Sequence, residues 1–423
     1  MTWFNILSFQ FFMLTTSAVV PADMPDFPRS FFFRQPEWDA VANMDYEEWI
    51  GKYGGRNGII GKVLDEELIN RVQQNPAYFS LFKLDHPDQT VLVHFNGQAR
   101  NPYFDEDGFF AGHWLYNEAA LIKAAVPAQT NDTVISVSDT TWFQTGIGRY
   151  GDRNVDIVLY RYTDGVPDWE TAEQVQLLSV DEVNKTITVK RACFGTQARW
   201  YPGNHSRAAA HMFEGPWGGN APLLWKYNFS TYCPTNTLGK NCADALVEDL
   251  ADKFNPETGL LRDLDGIEFD VAPNDNDGDM DGDGVIDDGL IGGINTYGAG
   301  MVEFFKKLRA ALGDDVLILA DGGTYNPQRS CGGLLNGVES EGWPFPFDQD
   351  FSGWSAAYNF HRFWNRESCE PKCSYINTRY TFSPSFSYSR LVMAAAQCMD
   401  SSMAYRSSET DMPYPEPGEV VGH

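Results

Sequence analysis

Short apolar runs, each too brief for a helix and closed by a turn or an acid, alternate with amphipathic stretches along this chain. The runs at 91–95, 208–213, 225–229, 266–271, 316–320, 335–340, 374–379 and 401–405 read as strands. Helical patterns at 243–254, 298–312, 355–364 and 389–397 fall between several of them. Short buried strands followed by helices favour a parallel sheet with helices outside it. Eight such units favour a closed barrel over an open doubly wound sheet. The expected fold class is therefore α/β: a TIM-type (β/α)8 barrel whose first strand is 91–95. No glycine-rich phosphate loop follows any strand, which counts against a nucleotide site. Little chain follows the eighth run, so the helical pattern at 64–74 is expected to close the barrel; another helix is expected at 114–125.

Between the first and second units the pattern changes. Runs at 133–138, 157–162, 174–180 and 186–191 are β-rich, and Thr186-Ile187-Thr188-Val189-Lys190 alternates with the period of two of a strand wet on one face. This stretch reads as a small all-β insertion. The chain then divides into a leader at 1–22, a first barrel unit at 23–125, the β-rich module at 126–205 and the rest of the barrel at 206–423.

The leader has an apolar core from Phe4 to Leu14 and small residues for cleavage near Ala18 or Ala22, although no Lys or Arg precedes Arg29. It predicts a secreted or periplasmic protein with no membrane span once the leader is removed. Seven cysteines suit an oxidising compartment, with Cys233/Cys242 and Cys369/Cys373 spaced to close small loops and one thiol left over. The absence of a CxxC pair argues against zinc. A net charge of −27 excludes nucleic acid as a natural partner. It suits neutral or basic material instead, and the 12 Trp and 19 Tyr offer flat platforms for sugar rings as well as core volume.

In such a barrel the reactive face is built from strand C-termini and the loops that follow them. Four segments put acids there. Along Asp265-Gly266-Ile267-Glu268-Phe269-Asp270, alternation sends Ile267, Phe269 and Val271 toward the helices and Glu268 and Asp270 into the barrel. Glu339 and Glu341 share a face at the end of the run at 335–340, with Trp343 beside them as a platform. Asp321 closes the run at 316–320, and His211 and Glu214 precede Trp217. Each group also has a structural explanation, as a capped, hydrogen-bonded or turn-forming residue. Asp270 and Glu339 are the expected catalytic pair, supported by Glu341, Glu268 and Asp321. Trp343, Trp217, His211, Glu214 and Asn96 are the expected substrate contacts.

After the run at 266–271 comes Asp275-Asn276-Asp277-Gly278-Asp279-Met280-Asp281-Gly282-Asp283-Gly284-Val285-Ile286-Asp287. Carboxylates at alternate positions before a glycine match the opening of a calcium loop, with Leu290 where the last acidic ligand would fall. Asp275, Asp277, Asp279, Asp281, Asp283 and Asp287 are the candidate ligands of a structural Ca2+, since so many like charges repel one another without a cation.

The segments His94-Phe95-Asn96-Gly97, Gly148-Arg149-Tyr150-Gly151-Asp152-Arg153-Asn154, Glu214-Gly215-Pro216-Trp217-Gly218, Ile294-Asn295-Thr296-Tyr297-Gly298-Ala299-Gly300 and Asn336-Gly337-Val338-Glu339-Ser340-Glu341-Gly342-Trp343-Pro344 carry a resemblance. They resemble uncharacterised secreted bacterial proteins regarded as glycosyl-hydrolase-like barrels. The resemblance implies a glycosidase-like barrel and no particular substrate. Asp265, Gly266, Ile267 and Asp270 are also similar to the fourth-strand signature of barrel chitinases. Glu268 stands there in place of an Asp, and Ala272 in place of the proton donor, so chitinase chemistry does not follow.

The expected function is hydrolysis of a glycosidic bond by paired carboxylates, with a poly- or oligosaccharide as partner. The alternatives are a non-catalytic carbohydrate- or surface-binding barrel and a metal-dependent hydrolase built on the acidic loop. No GxSxG elbow supports a serine nucleophile.

Overall fold

The computed structural model describes residues 29–33, 45–54, 57–61, 76–103, 108–147, 153–216, 221–321, 333–344, 350–377 and 386–405. Eight parallel strands close into a barrel in chain order: β1 (Ser30–Phe33), β2 (Gly58–Gly61), β3 (Thr90–Asn96), β4 (Gly266–Asp270), β5 (Leu317–Asp321), β6 (Gly337–Ser340), β7 (Tyr375–Asn377) and β8 (Ser402–Tyr405), which pairs back with β1. Six α-helices are present among the described residues: α1 (Tyr46–Tyr53), α2 (Pro76–Asp85), α3 (Cys242–Lys253), α4 (Thr296–Leu312), α5 (Phe351–Glu367) and α6 (Phe386–Cys398). The four helical patterns read from 243–397 correspond to α3–α6.

Strand alternation sorts the side chains. Phe31, Ile60, Leu92, Leu317, Leu319, Tyr375 and Ala404 form one apolar cluster inside the barrel. Ile267, Phe269, Val91, Val93 and Phe95 join the outer cluster with Leu246 and Leu250 of α3 and Phe304 and Phe305 of α4. Phe269 meets Phe304 and Phe305 edge-on at 5.7 and 5.5 Å.

The sequence-based strand order needs correcting. The first two barrel strands are β1 and β2, and 91–95 is the third. The insertion accordingly lies between the third and fourth strands, not the first and second. The run at 208–213 contributes Ser206–Ala210 to a six-stranded antiparallel sheet with Ala120–Leu121, Asp156–Thr163, Val166–Asp181, Thr186–Lys190 and Thr133–Ser136. The run at 225–229 belongs to a three-stranded sheet of Phe213–Glu214, Leu224–Lys226 and Ala99–Arg100. The misreading has a physical cause: the larger sheet is covered on both faces. Val158, Tyr160 and Ala209 face one apolar cluster, while Ile157, Leu159, Ala208 and Ala210 face another. A strand buried on both sides loses its alternation and reads like a barrel strand.

The expected helix at 114–125 is also absent. Its backbone is extended and donates across to both sheets, from Leu115 N to Lys226 O and from Asn117 N to Ala210 O. The leader, the pattern at 64–74, Trp217 and Cys331 lie outside the described residues. The six described cysteines are all thiols, although Cys242 N lies 3.5 Å from Cys233 Sγ. No helix of the described residues is long and apolar enough to cross a membrane.

One buried histidine ties β6 to the start of β8. His361 of α5 bonds through Nδ1 to Ser340 Oγ at 2.7 Å and through Nε2 to Ser401 Oγ at 2.8 Å. Burial lowers its pKa to about 3. The unfolded chain therefore binds a proton that the folded chain refuses, and this contribution to stability is lost as pH falls from about 6.5 toward 3. Urea unfolding of wild type and His361→Gln should differ in slope by up to about 1.4 kcal/mol per pH unit across that window. Equal slopes would assign the acid sensitivity elsewhere.

Candidate active site at the barrel mouth

Strand pairing brings the inward acids to one level. Asn96 pairs with Asp270, Phe269 with Ala320, and Asp321 with Glu339. Asn96, Asp270, Asp321 and Glu339 thus follow one rung across β3, β4, β5 and β6, at their C-terminal ends. Neighbouring strands lie about 4.8 Å apart, so the backbones at Asp270 and Glu339, two strands apart, are separated by roughly 10 Å. Glu268 lies one inward step below Asp270 and pairs with His94.

His94 organises the β4 acids. Its Nε2 is 3.3 Å from Asp270 Oδ2 and 3.9 Å from Glu268 Oε2. Exposure is graded: the Glu268 side chain is 0% accessible and that of Asp270 13%, so Asp270 is the member of this trio turned to solvent. Glu339 is also fully buried and accepts a hydrogen bond from Asn377 Nδ2. Asn377 is itself fixed, since its Oδ1 accepts from Gly342 N at 3.0 Å and its backbone carbonyl from Trp343 N at 2.9 Å.

Backbone strain marks the end of β4. Val271 has φ of 50°, a left-handed conformation that is costly for a β-branched residue, about 1–3 kcal/mol. The strand therefore stops at Asp270, and Val271 does not continue the outer face as alternation predicted. Gly97 N donates to Asp270 O at 2.6 Å, and a Cβ at Gly97 would sit 2.9 Å from Val271 O. Only glycine lets the two strand ends come this close.

Asn96 links the barrel to the insertion. Its Oδ1 accepts from Gln98 N at 3.0 Å and Ala99 N at 2.9 Å, while Nδ2 bonds Glu214 Oε1. Gln98 Nε2 holds the other oxygen of Glu214. Lys226 lies close by, with Nζ 3.1 Å from Asn276 Oδ1; burial lowers its pKa, against the opposing pull of Glu214 and Asp277. At the opposite end of β4, Asp265 Oδ2 accepts from Val91 N at 2.7 Å and lies 2.9 Å from Lys83 Nζ. The first acid of the chitinase-like signature thus anchors the foot of the strand.

Several expected contacts lie elsewhere. Trp343 is 1% exposed and packs edge-on against Trp354 at 4.6 Å in an outer cluster with Ile376, Val392 and Met403. No face is left for a sugar. His211 is equally buried, stacked 3.7 Å from Trp225, with Nε2 2.8 Å from Gln174 Oε1. It belongs to the interior of the insertion. Glu341 is half-buried in the turn after β6, so it does not share a strand face with Glu339. The residues missed by the sequence reading are His94, Asn377, Gln98 and Lys226. For His94 and Asn377 the signal was a polar residue at an inward position of a buried strand.

The acidic loop gathers three of its six candidates. Ligand oxygens of Asp279, Asp281 and Asp283 lie within 4.8 Å of one another, the span of one coordination sphere at Ca–O distances of about 2.4 Å. Asp279 is buried and accepts from Gly282 N and Gly284 N, both at 2.8 Å. Burial pushes its carboxyl up to about 7, and Asp283 and Asp281 add to the rise. Asp287 accepts from Met280 N at 2.9 Å and is not part of the triad, and Asp275 and Asp277 are exposed outside it.

No protein-family model matches the chain, and no curated protein sequence matches it.

Proposed function

We propose that this chain is an exported glycoside hydrolase on a TIM-type (β/α)8 barrel, acting on a poly- or oligosaccharide. The observation that carries the reading is the shared rung of acids at the C-terminal ends of β4, β5 and β6, lined up by strand pairing. Glycosidases need two carboxyl groups flanking the scissile bond, separated by roughly 5–9.5 Å. Inward-pointing acids on backbones roughly 10 Å apart suit that range. Asp270, beside an imidazole nitrogen and turned to solvent, is placed to act as nucleophile or base. Glu339, on the same rung and held by Asn377, is assigned the proton-donor role, which requires its buried carboxyl to reach the substrate. Glu268, Asp321 and Glu341 support this pair, and Asn96 with Glu214 shapes the rim. The motif resemblance to secreted glycosyl-hydrolase-like barrels points the same way.

Aryl glycosides separate the two roles, because a good leaving group needs no proton. Glu339→Gln should lose activity on natural linkages by about 10²–10⁴-fold yet keep most of it on dinitrophenyl glycosides. Equal losses on both would remove Glu339 from the acid role. The full burial of Glu339 and Glu268 favours a second reading, a barrel that binds carbohydrate without cleaving it. That reading predicts retention of glycans with no new reducing ends.

The Asp279, Asp281 and Asp283 loop is proposed to hold a structural Ca2+. Chelation should then remove about 2.7 kcal/mol of stability when calcium had been present at 100 times its Kd, and so lower the melting temperature. Asp281→Asn should reduce that difference. An unchanged melting temperature would contradict the assignment, and loss of turnover with full stability would favour a catalytic metal.

A further inference from the structure

The insertion carries a cavity of about 420 Å3 whose lining includes Glu118, Ser138, Asp139, Thr141, Trp142 and Phe143. It shares no residue with the barrel mouth. The walls at Ala119 and Ser138 are held by hydrogen bonds: Leu121 N donates to Ser138 Oγ at 2.8 Å, Ser138 N to Leu121 O at 2.9 Å, and Ala119 N to Gly284 O of the acidic loop at 3.0 Å. A site whose walls are already held loses little entropy on binding.

The lining selects among ligands. Among the described residues it contains two acids and no base, which disfavours phosphates, sulfates and acidic sugars. Lys185 stands outside it, with Nζ 4.0 Å from Asp139 Oδ2 and 3.1 Å from Ser138 O, and balances part of the Asp139 charge. Trp142 is half-buried, packed on the sheet's apolar cluster while still reaching the cavity. A rigid aromatic surface beside carboxylate and hydroxyl acceptors suits a flat ring with an apolar face and hydroxyl donors at its edge. The volume falls at the lower end of the roughly 300–1,000 Å3 usual for small-ligand sites, room for the end of a short oligosaccharide.

We propose that this cavity is a second glycan-binding site, taking an uncharged sugar residue on Trp142 with its hydroxyls on Glu118 and Asp139. It holds the glycan to the protein and performs no chemistry, so it does not require the barrel to be a hydrolase.

Calorimetry on full-length Asp270→Asn protein with cellohexaose, mannohexaose, xylohexaose and N-acetylchitohexaose tests it, with spermidine as a cationic probe. At least one hexaose should bind. Trp142→Ala should abolish one binding event, and Glu118→Gln, a conservative change at an exposed side chain, should weaken the same event at least tenfold. That event should persist even if wild type cleaves none of these glycans, which separates failure of the hydrolase reading from failure of this one. Binding unchanged in both variants, no binding of any hexaose, or spermidine bound in their place would overturn it.

Discussion

Asp270→Asn is expected to lower turnover of glycosidic substrates about 10²–10⁴-fold with little change in melting temperature. The substitution keeps the shape of the side chain at a strand end where 13% of it meets solvent, so packing is retained. What it removes is the negative charge beside His94, 3.3 Å away. If that charge attacks the sugar or activates water, an amide cannot replace it. His94→Gln should have a smaller effect, chiefly on the pH profile of turnover, because it acts through Asp270. Wild-type turnover in Asp270→Asn would remove β4 from the chemistry.

The largest stability effect is expected inside the insertion. Arg191 and Glu173 are both fully buried and form a bidentate pair, Nε to Oε1 at 2.8 Å and Nη2 to Oε2 at 2.6 Å. Glu173 also accepts from Ala192 N at 2.8 Å and Arg199 N at 3.1 Å, while Arg191 donates to Pro127 O at 3.0 Å and Arg199 O at 2.8 Å. The pair therefore ties together the strands and turns around residues 127 and 191–199. Glu173→Ala would strand a buried guanidinium and two backbone donors, at a cost of about 3–5 kcal/mol. Replacing both, Glu173→Leu with Arg191→Met, should restore the part of that loss due to the uncompensated charge, while Ala192 N, Arg199 N and the carbonyls of Pro127 and Arg199 still lose their partners. Denaturant unfolding of the three proteins decides it. A loss below about 1 kcal/mol in Glu173→Ala would show the pair to be dispensable.

Sequence pattern carried part of this architecture. Strands β3 to β8 and helices α3 to α6 each had a clear apolar signature, and the inward direction of Glu268 and Asp270 followed from alternation. Strands β1 and β2 were not read as strands; in β2 only Ile59 and Ile60 are apolar, between Gly58 and Gly61. One of the two false barrel strands, at 208–213, arose from a sheet buried on both faces, and the other, at 225–229, belongs to the small three-stranded sheet. Two omissions and two additions cancelled, so β4 kept its place as fourth strand and the site kept its location.

The site itself was legible where the backbone decided it and illegible where packing did. Rung pairing of Asp321 with Glu339 follows from parallel strands, but the burial of Trp343 against Trp354 depends on helices distant in sequence. Trp343 and His211 resembled ligand contacts because an aromatic or imidazole beside an acid looks the same in sequence whether it faces a cleft or a core. In the acidic loop, spacing offered six candidate carboxylates but not which of them converge, because Asp287 is drawn to Met280 N.

The decisive measurement is the release of new reducing ends from a panel of neutral poly- and oligosaccharides, with calcium present, by wild type and by the Asp270→Asn, Glu339→Gln double variant. The account predicts release from at least one glycan by wild type and none above background by the double variant. Equal release by both proteins, or glycan binding with no release anywhere in the panel, would contradict it.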